Sequence, residues 1–158
     1  LSNRNDISFR VIGEGQEAYK LEDWKLKNSS SLHWEREWQP SAVVAKEIEE
    51  ADICLGIFGS GDKTQRVCPF KIYAYARVGR PIITGKTDWT DQLLEQTGEQ
   101  FLETTPVGDA EKLADMIRLL ANNPDLRDKL VLASRKLYEQ YLSNRIANEK
   151  LFDCLLAF

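Results

Sequence analysis

The sequence contains too few cysteine and histidine residues for the sites that these residues usually build. Among 158 residues there are three cysteines and one histidine. Cys54, Cys68 and Cys154 are odd in number and form no CxxC pair. That pattern argues against a disulfide scaffold and against structural zinc, and it favours a reducing cytosol. We therefore expect a cytoplasmic protein without a bound metal.

The sequence also lacks an excess of positive charge and a long apolar segment. Its formal net charge is −4, so the chain as a whole does not attract nucleic acid or an anionic membrane. It shows no signal peptide and no apolar run of membrane-spanning length. We expect no nucleic-acid partner, and a site for a phosphorylated ligand requires a local cluster of cations.

Short apolar runs alternate with amphipathic segments along the chain. A hydrophobic content of 42% is sufficient for a core, and the length fits one compact domain. The apolar runs predict strands within 7–15, 32–34, 52–58, 81–84 and 100–105. The intervening patterns predict helices at 16–27, 42–51, 69–79, 89–98, 108–123, 125–142 and 143–158. This alternation predicts an α/β fold, with a parallel sheet and helices on both faces.

The stretch "GIFGSGDKT" at residues 56–64 is similar to a Walker phosphate loop. Gly56 and Gly61 have the required spacing, but Asp62 separates Gly61 from Lys63. A Walker lysine must follow the second glycine directly so that its ammonium reaches the β- and γ-phosphates. We therefore interpret the stretch as a different turn, at the end of a strand. The alternative is a solvated loop that binds nothing.

Parallel sheets bind ligands at the carboxyl ends of their strands. Glycines follow two of the predicted strands, at 13–15 and at 59–61. The second group leads to a helix that begins near Pro69, whose N–H groups and dipole favour a diphosphate. Arg66 and Lys71 are the cations that the sequence offers beside it.

The run "ADICLGIFGSGDKTQRVCPFKIYAYARVGRPIITG" at 51–85 resembles the C-terminal half of group 1 glycosyltransferases of the GT-B fold. The "FRVIGEG" strand and the helices from "GDAEKLADMIRLLANN" onward also resemble that family. The residues that match its central pattern are Ala51, Asp52, Ile53, Leu55, Pro69, Lys71, Tyr73, Gly79, Pro81 and Ile83. The resemblance implies a Rossmann-like, nucleotide-sugar-binding domain over 1–158, a fragment of a two-domain enzyme whose N-terminal acceptor domain is missing here.

The resemblance also implies an activity. Such enzymes transfer a sugar from a nucleotide-sugar with retention, without a cofactor, and typically serve polysaccharide or cell-envelope synthesis. Lys71 and Arg66 would be the catalytic residues, because they would stabilise the charge that develops on the leaving diphosphate. The substrate-binding candidates are Gly13, Gly15, Trp38 beside the base, Gly59, Ser60, Gly61, Lys63 and Tyr73.

Ala74 departs from the family pattern. Many relatives carry there a glutamate that binds the ribose hydroxyls, and a methyl group cannot accept those hydrogen bonds; Tyr73 or Tyr75 are the neighbours able to compensate. The upstream Arg and Lys pair that grips the diphosphate in relatives has no counterpart either. We therefore expect the fragment alone to be inactive. One alternative is a degenerate domain that works as a binding or scaffold module, and another is an unrelated nucleotide-binding module.

Further expectations concern single features. Residues 59–67 are expected to form a loop, and Asp88 is expected to cap the helix at 89–98. His33 lies in a short predicted strand and is expected to pack or to face solvent, not to act as a base. The apolar final segment "LFDCLLAF" is expected to form a patch that invites dimer contacts. In a full-length protein we expect peripheral association with the inner membrane face.

Overall fold

The computed structural model describes residues 4–15, 18–27 and 31–148. The chain divides into two compact units, Leu1–Glu47 and Ile48–Phe158, and each is described by itself. The final segment "LFDCLLAF" lies outside the described residues, so the expected dimer patch stays a prediction.

The first unit contains two parallel strands joined by a helix. Strand β1 (Phe9–Ile12) pairs in parallel with β2 (Leu32–Glu35), and helix α1 (Ala18–Lys27) connects them. The Trp24 ring of α1 packs edge-on against Phe9 of β1, with 6.3 Å between the ring centroids. Both strands and the helix were predicted and are confirmed; β1 and α1 are shorter than predicted, and β2 is one residue longer. Helix α2 (Ser41–Glu50) follows and continues past the end of this unit.

The second unit is built on a three-stranded parallel sheet. Its order is β3 (Cys54–Leu55), β4 (Ile82–Gly85) and β5 (Glu103–Thr105). The register places Ile83 opposite Leu55 on one side and Glu103 on the other. The helices of the unit are α3 (Asp62–Arg66), α4 (Phe70–Val78), α5 (Asp88–Thr97), α6 (Ala110–Asn122) and α7 (Pro124–Leu137), which continues into a π-helical turn at Tyr138–Leu142.

The core of the second unit lies where α4 and α7 pack near the central strand. Ile72 and Ala76 of α4, Ile82 of β4 and Leu137 of α7 are fully buried and belong to one cluster. Phe101 joins this cluster, and its ring lies 5.5 Å from that of Tyr141. The sheet pairings are parallel and helices flank the sheets, so the predicted α/β, Rossmann-like class is confirmed.

Helix α4 begins and ends where the sequence signals predicted. Pro69 is its N-cap, and Gly79 is its C-cap in the left-handed conformation, at φ 75°. A side chain at Gly79 would also meet the Arg135 side chain, with a Cβ 2.5 Å from Nε. The left-handed backbone favours glycine there, and any other residue would also displace the exposed Arg135 side chain.

Three local predictions were wrong. The strand predicted over 52–58 is confined to Cys54–Leu55, and the loop after Gly61 contains the short helix α3. Thr87, not Asp88, is the N-cap of α5, because its side chain accepts from the Thr90 N–H in a reciprocal capping box. Asp88 is the first residue of the helix itself.

Within the described ranges, no helix has both the length and the apolar character needed to cross a membrane. His33 is exposed on β2, as expected.

Candidate functional site

Gly56 follows β3 directly, and tight packing against the next strand explains why it is glycine. A Cβ added at Gly56 would lie 2.4 Å from Thr84 Oγ1 and 2.6 Å from Thr84 Cβ. Thr84 belongs to β4 and is only 2% exposed, so it has little room to move. The first glycine of the apparent Walker pattern therefore serves strand packing, which requires no phosphate.

The β3–β4 hydrogen-bond ladder shifts by one residue at this point. Gly56 N–H donates to the Ile83 carbonyl at 2.8 Å, as a regular parallel ladder requires. The same ladder would next join Gly85 N–H to the Gly56 carbonyl. Instead, Gly85 N–H donates to the Ile57 carbonyl at 2.7 Å. This shift is a bulge, and it ends the regular strand earlier than the apolar run suggests.

The Thr84 hydroxyl binds both backbone polar groups of Ile57. Ile57 N–H donates to Thr84 Oγ1 at 3.2 Å, and the hydroxyl donates to the Ile57 carbonyl, also at 3.2 Å. The bulge is thus held by one buried side chain.

Lys71 uses the carbonyl that the bulge leaves out of the ladder. It lies in the first turn of α4, and its Nζ donates to the Gly56 carbonyl at 3.3 Å. Burial lowers the pKa of the Lys71 ammonium. Its hydrogen-bond partner is a neutral carbonyl, and the Lys71 side chain as a whole is exposed, so the ammonium is only partly desolvated. An anion at the carboxyl end of β3 would compensate this cost.

The turn between Gly56 and α3 is closed by Thr64. Its hydroxyl lies 2.8 Å from the Gly59 carbonyl and 2.5 Å from the Gly61 carbonyl, and its N–H donates to Gly61 at 2.8 Å. Gly59, Ser60 and Gly61 are exposed, as is Lys63 in the first turn of α3. The turn therefore has a defined conformation and an open surface.

Arg66 and Lys71, the two predicted catalytic cations, make different backbone contacts. Arg66 is exposed at the end of α3, and its Nε contacts the Asp62 carbonyl at 3.4 Å, within its own helix. Only Lys71 of the two predicted catalytic cations is fixed at the carboxyl end of β3. Their catalytic roles stay predictions.

Tyr73 lies one helical turn after Phe70, and their rings stack at 6.1 Å between centroids. Phe70 is 87% exposed, whereas Tyr73 is partly buried against the core. Burial and then the neighbouring Cys68 raise the pKa of the Tyr73 hydroxyl, which stays protonated at neutral pH. Burial raises the pKa of Cys68 to about 12, so Cys68 is a neutral thiol and not a reactive thiolate.

The "GEG" turn of the first unit is held in place from β2 and the residue after it. Trp34 Nε1 donates to the Gly13 carbonyl at 2.9 Å, and Arg36 pairs with Glu14 and with Glu22. The Arg36 guanidinium also lies 4.8 Å from the centre of the Trp34 ring. Glu14 foremost, and Glu22, raise the pKa of Arg36. These two holding residues were not predicted, although "HWER" places Trp34 and Arg36 two positions apart, on one side of an extended segment.

Gly13 and Gly15 have open space where a side chain would be. No atom lies within 4 Å of a Cβ added at either glycine, and Gly13 has a φ of 103°, which few other residues adopt. Trp38 is 84% exposed. These three predicted binding residues all belong to Leu1–Glu47, and the structure gives each an open surface within that unit.

In the part of the chain that the structure describes, no three His, Cys, Asp or Glu side chains come together in a group able to hold a metal ion.

Comparison with known proteins bears on the fold. No protein-family model and no curated protein matches the sequence. A search of solved structures finds similarity to the crystal structure of WaaG, a glycosyltransferase involved in lipopolysaccharide biosynthesis, with a TM-score of 0.61 and 17% sequence identity. The alignment covers 85% of this chain and 35% of that chain. At this identity the likeness concerns the fold, and the chain shares a Rossmann-like fold with about a third of a glycosyltransferase.

Proposed function

We propose that this chain is the donor-binding part of a glycosyltransferase and holds the diphosphate of a nucleotide-sugar at the carboxyl end of β3. The observation that carries the proposal is the position of Lys71. Its ammonium donates to the Gly56 carbonyl at 3.3 Å from the first turn of α4, next to an open turn, and is partly desolvated there. The likeness to part of a solved glycosyltransferase supports the same class of activity.

Lys71 acts in this proposal by stabilising negative charge on the leaving diphosphate. When the bond between the sugar and the diphosphate breaks, negative charge accumulates on the leaving diphosphate. A fixed ammonium in a partly desolvated position stabilises that charge more strongly than a solvated ammonium does. Lys71 is the main cation in this proposal, and Arg66 reorients from its exposed position on α3 to supply a second one. Transfer with retention is the stereochemistry that we propose.

Each of the other predicted binding residues makes one contact in this proposal. The exposed turn of Gly59, Ser60 and Gly61 receives phosphate oxygens through its N–H groups, with Lys63 at its edge. Tyr73 donates to the ribose in place of the glutamate that Ala74 lacks. Within the first unit taken by itself, Gly13 and Gly15 offer close backbone approach and Trp38 offers an exposed ring for a base.

Residues 1–158 form a single nucleotide-sugar-binding domain in this proposal, and a separate N-terminal domain binds the acceptor. The fragment by itself does not transfer sugar. We propose the reducing cytosol as its location, with the full-length protein peripheral to the inner membrane face. No cofactor, metal or nucleic acid takes part.

The second candidate function is a degenerate domain that binds or scaffolds without catalysis. Ala74 is the observation that favours it, because its methyl group cannot hold the ribose hydroxyls. The two candidates differ in whether a nucleoside diphosphate binds.

Titration calorimetry with UDP, GDP and ADP tests the proposal. We expect at least one of them to bind with a Kd of about 1 mM or tighter, and Lys71→Ala to weaken it by about tenfold or more. Lys129→Ala removes an exposed lysine of α7 and is the matched control for the lost charge. The absence of heat with all three nucleotides would favour the degenerate module.

A further inference from the structure

We infer that Thr84 is a positioning residue for the diphosphate site, and that it acts on Lys71 through the Gly56–Ile57 bulge. This inference rests on the proposed function, since it concerns how the proposed anion-binding ammonium is held. Thr84 is on β4, 13 positions after Lys71 in the sequence, and is not among the residues that match the family pattern.

The Thr84 hydroxyl makes two hydrogen bonds to one residue. Thr84 Oγ1 accepts from the Ile57 N–H and donates to the Ile57 carbonyl, both at 3.2 Å. A threonine that only filled space in a buried strand would need neither bond. Because Thr84 is 2% exposed, water does not replace the hydroxyl when it is removed.

The two hydrogen bonds between Thr84 and Ile57 prevent the regular β3–β4 ladder from continuing beyond Gly56. In a regular parallel ladder, Gly85 N–H would take the Gly56 carbonyl, which is the group that Lys71 now binds at 3.3 Å. The bulge moves Gly85 N–H to the Ile57 carbonyl and leaves the Gly56 carbonyl to the ammonium. Loss of the hydroxyl removes the partner of the Ile57 N–H and allows the regular ladder to form. The Gly85 N–H then competes with the Lys71 ammonium for the Gly56 carbonyl, and the contact that fixes Lys71 weakens.

The test compares Thr84→Val, which keeps the shape and loses the hydroxyl, with Thr84→Ser, which keeps the hydroxyl. In calorimetry with the nucleoside diphosphate that binds best, we expect Thr84→Val to weaken binding about tenfold and Thr84→Ser to stay within about twofold of the wild type. In the Thr84→Val background, Lys71→Ala should have little further effect. Full additivity of the two substitutions, or equal losses in the Val and Ser variants, would overturn the inference.

A second measurement does not depend on ligand binding. The ¹³Cε and ¹⁵Nζ signals of Lys71, assigned by comparison with Lys71→Arg, report whether its ammonium is fixed. We expect Thr84→Val to move them towards the values of an exposed lysine, while Thr84→Ser leaves them in place. If no nucleotide binds but these signals respond, the proposed function fails and the positioning role stands; unchanged Lys71 signals in a folded Thr84→Val protein would refute the positioning role. Should Thr84→Val not fold, Thr84→Ala provides the same comparison.

Discussion

Substitution of Gly56 by alanine tests whether the close approach of β3 to β4 is required for the stability of the Ile48–Phe158 unit. An alanine Cβ would lie 2.4 Å from Thr84 Oγ1, 2.6 Å from Thr84 Cβ and 3.2 Å from Ile72 Cδ1. Ile72 is fully buried and Thr84 almost so, hence neither can rotate into solvent. Overpacking of a close-packed core typically costs about 1–3 kcal/mol, and two contacts this short place Gly56→Ala at about 2–3 kcal/mol.

The matched control is Gly61→Ala. No atom lies within 4 Å of a Cβ at Gly61, and its φ of −71° suits alanine. We expect this substitution to change the free energy of unfolding by about 0.5 kcal/mol or less. The measurement is urea-dependent hydrogen exchange at the buried Ile83 amide, which reports on the Ile48–Phe158 unit. If Gly56→Ala destabilised this unit no more than Gly61→Ala does, the account of the β3–β4 contact would be wrong.

Three other outcomes are expected. Thr87→Ala should destabilise the second unit by about 1 kcal/mol, whereas Asp88→Ala should have a smaller effect on the same hydrogen exchange, since Thr87 is the cap of α5; equal losses would contradict this assignment of the cap. In a Cys154→Ser background, Cys54 and Cys68 should react with iodoacetamide at pH 7.5 about 10³-fold more slowly than a free thiol, because burial raises both pKa values to about 12; rapid alkylation of the folded protein would refute this. The pKa of the Lys71 ammonium is lower in the folded protein than in the unfolded chain. Between these two pKa values, the unfolded chain binds more protons than the folded protein does. In urea unfolding, we therefore expect the free energy of unfolding of the wild type, relative to that of Lys71→Met, to rise with pH across this interval. A fall would contradict the lowered pKa of Lys71.

Local signals in the sequence predicted much of the fold. Pro69 and Gly79 bound α4 because a helix start tolerates proline and a left-handed cap favours glycine, and both effects depend only on local backbone geometry. The apolar run at 81–84 predicted β4 for a similar reason, since a strand buried between two neighbours has few polar residues.

What the sequence could not predict depends on partners that are distant along the chain. The strand expected over 52–58 ends early because Thr84, 27 positions beyond Ile57, takes both backbone groups of Ile57. Gly56 matches the first glycine of a phosphate loop in the sequence. The structure shows instead that a glycine is needed there because β3 packs closely against Thr84. Lys71 was predicted as a site residue from a family resemblance, whereas its acceptor, the Gly56 carbonyl, emerges from the bulge.

The most direct test of the central claim is an amide chemical-shift titration of the ¹⁵N-labelled chain with the nucleoside diphosphate found to bind. The account predicts that the largest shifts fall on the turn from Ile57 to Gly61 and on the first turn of α4 around Lys71, and that Lys71→Ala raises the nucleotide concentration needed to produce them by about tenfold or more. Shifts confined to other parts of the Ile48–Phe158 unit, or unaffected by Lys71→Ala, would contradict a diphosphate site at the carboxyl end of β3.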